Sequence, residues 1–253
     1  MSASDKTDAA PSVRPVEVLT GRATSYRMLS RLFFKPLSAS EIDELAASDY
    51  GAVALSLGGE GLLAEGFNDM GRALRRRHTG TRQQLATDFT MCFDGVETAD
   101  EQVAVPYASV FLGEKALLNQ EPRHEVYRFY RSEAVRLKSG VNLPEDHLSF
   151  ELEFLAILSD RAAEALGEGG VDEAARCLRQ SQEFIRGHVL TWLGLFAERA
   201  ERILKTRFYR GALKAVRGYL ELDLETLGDL LEVLGDGPGD GSADGSGDEP
   251  GDG

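Results

Sequence analysis

The stretch Val141 to Arg161, VNLPEDHLSFELEFLAILSDR, constrains the fold more than any other part of the chain. The ring of Pro144 drives Leu143 out of the α region, so a connector ends there. Pro144 fits the first turn of a new helix, and Glu145 and Asp146 then suit the positive end of its dipole as exposed acids. The spacing therefore predicts a helix starting at Pro144. Leu148, Leu152, Leu155, Leu158 and Ala162 form one apolar stripe, and Phe150, Phe154 and Ile157 form a second on roughly the opposite side. Only Ser149, Glu153, Asp160 and Glu164 are left for water. A helix apolar on two sides belongs in the middle of a bundle. Glu151, however, falls inside the main apolar stripe, where an unpaired carboxylate costs roughly several kcal/mol. His147, one turn earlier, is its nearest partner in sequence, which gives Glu151 and Pro144 structural parts to play.

The rest of the chain reads as further helices. Residues up to about Pro15 are small and polar and form a flexible lead. Glu17 to Lys35 carries Leu19, Ala23, Tyr26, Leu29, Leu32 and Phe33 at helical spacing, and Pro36 stops it. A capping box at Ser38 and Glu41 opens a short helix to Ala47. Leu62, Leu63, Phe67, Met70 and Leu74 predict another, ending in Arg75 to His78, and Thr81 caps the one that follows. From Pro122 a helical face runs through Val126, Tyr127, Tyr130, Ala134 and Leu137 to a C-cap at Gly140. Asp172 caps a helix through His188. HVLTWLGLFAERAERIL gives one more helix, RFYRGALKAVRGYL follows it, and a short amphipathic helix covers Leu222 to Leu234.

No stretch shows clean two-residue alternation. The expected architecture is all-α, a helical bundle in two parts joined by a hinge: a lead at 1–15, an N-terminal helical part at 16–142, a C-terminal helical part at 143–234 and an acidic Gly/Asp-rich tail at 235–253. The tail, GDGPGDGSADGSGDEPGDG, holds nothing apolar larger than Ala243 and reads as disordered. Its acids lack the flanking helices and closing Glu of a calcium loop.

Composition narrows the function. A net charge of −14 over 253 residues argues against nucleic acid as a partner, since phosphate binding needs clustered Lys and Arg. No apolar run approaches the ~18 residues of a membrane helix, so no membrane insertion is expected. The start, MSASDKTDAAPSVRPVE, has no basic n-region or apolar h-region, which points to the cytoplasm. Cys92 and Cys177 read as buried thiols. No nucleophile elbow, phosphate loop, dinucleotide fingerprint or HExxH motif occurs, so the expectation is no catalytic residue, no metal and no stably bound cofactor.

One resemblance goes further. PEDHLSFELEFL resembles the hinge-and-helix signature of the TorD/DmsD family, the cytoplasmic chaperones that mature molybdenum-containing oxidoreductases before twin-arginine export. DFTMCFDG resembles that family's Asp-Phe-x-x-Leu-Phe-x-Gly segment, with Met91-Cys92 as a departure. Val105-Pro106-Tyr107 with Ser109 and Val110 matches its Pro-Tyr-x-Ser-Val connector, and His188, Trp192 and Phe196 match a His-Leu-x-x-Trp-x-x-x-Phe segment. The resemblance implies an all-helical chaperone, not an enzyme, that binds an apo-molybdoenzyme and its twin-arginine signal peptide while the client receives its molybdopterin cofactor. It implies a peptide-binding role for Asp146 and His147, and second for Pro106, Tyr107 and Ser109. A dimethyl sulfoxide or trimethylamine oxide reductase is the client it suggests. A respiratory nitrate reductase assembly chaperone is the near alternative, and an unrelated helical ligand-binding protein or enzyme the distant one.

Overall fold

A computed structural model describes residues 14–56, 60–95, 104–113, 121–138, 140–141 and 143–235. The expected lead, but for Arg14 and Pro15, and the acidic tail beyond Gly235 lie outside the described residues. Within them the chain forms eleven α-helices and one π-helical turn: α1 Pro15–Phe34, α2 Ala39–Ala47, α3 Tyr50–Ser56, α4 Gly61–Arg75, α5 Thr81–Phe93, α6 Ala108–Leu112, α7 Glu121–Ser132, α8 Leu148–Gly167, α9 Val171–Phe184, the π turn Ile185–Val189, α10 Leu190–Ile203 and α11 Arg207–Val233. Extended pairing among the described residues is limited to a bridge between Tyr107 and His147.

Two helix pairs build the body. α1 packs along α8, and α4 packs along α11. One hydrophobic cluster runs through all four and draws on residues from both sides of the expected division near Leu143. α8 is central, as its two apolar stripes require: Leu148, Leu152, Phe154, Leu155 and Leu158 are fully enclosed, while Phe150 and Ile157 are half-buried. Ser149 departs from the expectation of a wet strip. It is buried, and its hydroxyl donates to the Ser30 carbonyl (2.9 Å) while the Ser30 hydroxyl donates to the Ser149 carbonyl (2.8 Å). These reciprocal bonds satisfy two hydroxyls exchanged between α1 and α8, so a polar residue fits where helix meets helix.

Buried charge fixes the third contact. Arg22 of α1 donates to Asp223 of α11 at 2.7 Å and to the Ser159 hydroxyl of α8 at 2.7 Å, and the Tyr26 hydroxyl donates to Asp223 at 2.6 Å. Arg22 and Asp223 are both buried. Removing either partner would strand the other, at a cost of about 3–5 kcal/mol. Asp88 of α5 plays a similar part for α11, accepting from the N–H groups of Lys205 (2.9 Å) and Thr206 (2.7 Å) just ahead of the helix. A carboxylate there satisfies donors that the helix start leaves open.

Several boundaries differ from those the sequence suggests. α8 starts at Leu148, not at Pro144, because Glu145 and Asp146 form a turn and His147 becomes the N-cap. α7 stops at Ser132: Ala134 takes φ 50°, and the Val135 N–H reaches back to the Tyr130 carbonyl (2.8 Å). That closure normally uses glycine, so no residue type announces it. The buried carboxylate of Glu133 holds it in place, accepting from Arg161 and Arg176 at 2.6 Å each. Gly80 rather than Thr81 is the N-cap of α5, Gly170 rather than Asp172 that of α9, and α3 had no clear sequence signal. The short amphipathic helix expected at Leu222 is the last part of α11, which runs on without a break. The capping box at Ser38 and Glu41 is present as expected.

The first part of α11 approaches α4 closely. A Cβ on Gly218 would lie 2.3 Å from the Leu63 nitrogen, and one on Gly66 would lie 2.5 Å from the Ala215 nitrogen. Both obstacles are backbone, which cannot step aside. Gly218→Ala is therefore expected to destabilise by about 1–3 kcal/mol or more through overpacking. Gly228→Ala, ten residues along the same helix with open space at its Cβ, should instead stabilise by up to about 1 kcal/mol. Urea titrations of the two variants check the opposite signs.

Candidate functional site

The residues singled out by sequence come together at the entry to α8. Extended backbone at Pro106–Tyr107 pairs antiparallel with the turn before α8: the Leu148 N–H donates to the Pro106 carbonyl (2.9 Å) and the Ala108 N–H to the Asp146 carbonyl (3.1 Å). The side chain of Asp146 extends the pairing, its Oδ2 accepting from the Ser109 N–H at 2.8 Å. The Tyr107 and His147 rings meet edge to face at 4.9 Å. Pro106, Tyr107, Ser109, Asp146 and His147 thus form one latch, although about forty residues separate its halves in sequence.

The latch is buried, which corrects the expectation of an exposed helix-start acid. Asp146 is 0% exposed, Ser109 0% and His147 4%. Asp146 Oδ1 and Ser109 Oγ have no hydrogen-bond partner among the described residues. Burial, helped by the charge of Asp146, pushes the Tyr107 hydroxyl up to about 12. His147 caps α8 by accepting the Ser149 N–H at its Nδ1 (3.1 Å). That role needs an unprotonated nitrogen, and burial accordingly lowers the imidazole to about 4.

Glu151 does not pair with His147. One carboxylate oxygen meets His188 Nε2 at 2.8 Å, and the other accepts from the Trp192 indole at 3.2 Å. His188 belongs to the π turn at Ile185–Val189, which joins α9 to α10; the sequence suggested two separate helices here. Burial raises the carboxyl of Glu151 against the opposing pull of His188. Burial alone would lower His188, but the charges of Glu151, then Glu125 and Asp146, leave it raised. Trp192 is enclosed in the core, as expected, and both cysteines are buried and free.

Beside the latch, α1, α8 and the segment after α7 enclose a groove of about 460 Å³. Its walls include Phe34, Leu137, Val141, Phe150 and Ile157, with Arg27, Arg136 and Lys138 among the basic residues around it. Phe34 is 37% exposed and lies 5.9 Å from the ring of Phe150, which itself lies 5.4 Å from His147. No sequence feature indicated this groove, because three separated segments make it. Among the described residues no group of three side chains could hold a metal ion, and no helix is long and apolar enough to cross a membrane.

A helical body that presents an apolar groove beside a buried polar latch has the make-up of a binding protein. Comparison with known proteins makes this particular. Residues 60–198 match the family model described as nitrate reductase delta subunit. The chaperone protein TorD of Vibrio cholerae El Tor is 31% identical over 213 residues, covering 83% of this chain and 94% of its own. TorD of Vibrio vulnificus YJ016 is also 31% identical, over 81% of this chain and 94% of its own. A crystal structure described as a redox enzyme maturation protein of Archaeoglobus fulgidus aligns over 88% of this chain and 98% of its own, at 16% identity and a TM-score of 0.39. The chain belongs to the family of the TorD chaperones. The two TorD relatives are named as chaperones.

Two outcomes test the site's chemistry. Glu151→Ala should destabilise by about 1–3 kcal/mol by stranding His188 and Trp192, whereas Glu153→Ala, half-exposed and 3.5 Å from Arg27, should cost under about 1 kcal/mol; chemical denaturation of both variants makes the comparison. The second is pH dependence. His147 falls from 6.5 unfolded to about 4 folded, so its contribution is fully present above pH 6.5 and is lost as pH drops through 4, by about 3 kcal/mol. His188 is raised, so its contribution has the opposite sign and fades as pH rises above 6.5. His147→Asn, which keeps a capping side chain, should flatten the acid limb of a stability–pH profile and leave the alkaline limb in place.

Proposed function

We propose that this chain is a cytoplasmic chaperone that holds the twin-arginine leader and the apo form of a molybdopterin oxidoreductase until the client's cofactor is in place and export can proceed. The molybdopterin belongs to the client, and the chain contributes surface, not chemistry. The observation that carries the reading is the groove against the latch. Its apolar walls suit the hydrophobic segment of a leader laid in as a helix or extended strand, and Phe150 ties the groove wall to His147 and so to Asp146, Tyr107, Ser109 and Pro106. In this reading the latch residues act by fixing the wall. Asp146→Ala thus removes a buried hydrogen bond and tests folding before it tests contact.

Dimethyl sulfoxide or trimethylamine oxide reductase is the client class that the resemblance of PEDHLSFELEFL suggests. The match to the nitrate reductase delta subunit model favours, as a second reading, a nitrate reductase. Isothermal titration with leader peptides from both classes separates them. Ile157→Glu, which places a charge in the half-buried groove wall, should weaken the preferred leader at least tenfold, the result of desolvating a carboxylate without a partner. Equal binding by wild type and Ile157→Glu would remove the groove from the mechanism, and equal weak binding of every leader would remove the reading.

A further inference from the structure

A second cavity, of about 570 Å³, lies between α7, α9 and the π turn. α7 divides it from the apolar groove: Glu125, Arg128, Phe129 and Ser132 line this cavity, whereas Tyr130 lines the groove. Glu125 stands on the α7 wall and Glu183 on the α9 wall. At the base sits His188, 2% exposed. Its Nε2 is engaged with Glu151, but its Nδ1 has no hydrogen-bond partner among the described residues. The nearest carboxylate oxygen, on Glu125, is 3.9 Å away, beyond a hydrogen bond. A buried ring nitrogen left open toward a cavity is unusual, because native interiors pair such atoms. The π turn that puts it there is itself an irregularity that recurs at functional sites.

The other polar groups of the cavity are already used. Gln180 donates to the Ser132 hydroxyl (3.2 Å) and accepts from Arg176 (2.8 Å), and Arg128 reaches Glu121 at 3.3 Å but Glu125 only at 4.0 Å. What remains is an acceptor set on three sides, Glu125, Glu183 and His188 Nδ1, with the flat ring of Phe129 beside it. That pattern fits a planar group with several donors and a face to stack. A guanidinium has five donors in a rigid fork and stacks on aromatic rings, whereas an ammonium has three donors and no face.

Building on the leader-binding reading, we propose that this cavity is the subsite for an arginine side chain of the bound peptide. Its guanidinium lies between Glu125 and Glu183 against Phe129, with His188 Nδ1 accepting one N–H when the imidazole is neutral. The apolar groove, across α7, then takes the hydrophobic part of the same peptide, and the two pockets together read a basic pair followed by an apolar run.

The test uses the full chain and an acetylated peptide of about twelve residues with paired arginines ahead of an apolar run, in three versions: arginine, lysine and citrulline, the neutral isostere. Isothermal titration compares wild type, the double variant Glu125→Gln/Glu183→Gln and Ile157→Glu, each checked by thermal melting. Both glutamates reach solvent, so the double variant keeps its fold. Wild type should prefer arginine to citrulline by tenfold or more, with lysine between, and the double variant should lose that preference. The nitrogen resonance of His188 Nδ1 should move on binding the arginine peptide and stay in place with citrulline. If the double variant discriminates arginine from citrulline as wild type does, the subsite is wrong, and loss of binding by Ile157→Glu would still uphold the leader reading. If wild type binds none of the three peptides, both fall.

Discussion

The buried carboxylate of Glu151 is the constraint around which the C-terminal half is arranged. It stands on an apolar face of the central helix α8 with no water to solvate it, and its two oxygens are met by His188 and Trp192. Those partners lie thirty-seven and forty-one positions later in the chain. His188 and Trp192, four positions apart, reach it from the stretch where α9 passes into α10 through a π turn. The same turn leaves the other nitrogen of His188 facing a cavity. One buried acid thus links a helix irregularity, the indole of the core tryptophan and a polar pocket.

A second constraint joins the halves of the chain. The paired backbone of Pro106–Ala108 and Asp146–Leu148, with Asp146 reaching the Ser109 N–H, fixes how the chain enters α8. Its ordering cost is offset by these hydrogen bonds, although Asp146 Oδ1 and Ser109 Oγ are buried without a partner among the described residues. Arg22, Asp223, Tyr26 and Ser159 form a second buried hydrogen-bonded group that joins α1, α8 and α11, although Arg22 Nη2 has no partner among the described residues. Such buried polar contacts contribute little net stability against an apolar alternative, yet they are costly to break, so they select one helix arrangement.

Much of this was legible in the residues. The two apolar stripes of α8 placed it at the centre, the capping box of α2 was read correctly, and PEDHL, Pro106-Tyr107 and Trp192 led to a family that the comparisons bear out. The oddity of Glu151 on an apolar stripe was visible too, and so, by the same signal, were Arg22 beside Leu19 and Ala23 and Asp223 between Leu220 and Leu227. Their partners were not. Local spacing offered His147 for Glu151 because i,i+4 neighbours are the only ones a linear reading can see. The end of α7 was misread because Ala134 adopts a left-handed conformation that glycine usually signals, held there by Glu133 and two arginines from other helices.

The sequence by itself determined which long segments are helical, which of their faces are apolar and that the Glu151 carboxylate must find a partner, because periodicity and burial cost are properties of residue types along a chain. Only the tertiary structure decided which partner each charge received, that Gly66 and Gly218 mark a backbone-to-backbone crossing, and that α1, α8 and the segment after α7 enclose a groove. Those outcomes depend on distances between segments far apart in sequence, set when many weak contacts are satisfied together and carried by no single stretch.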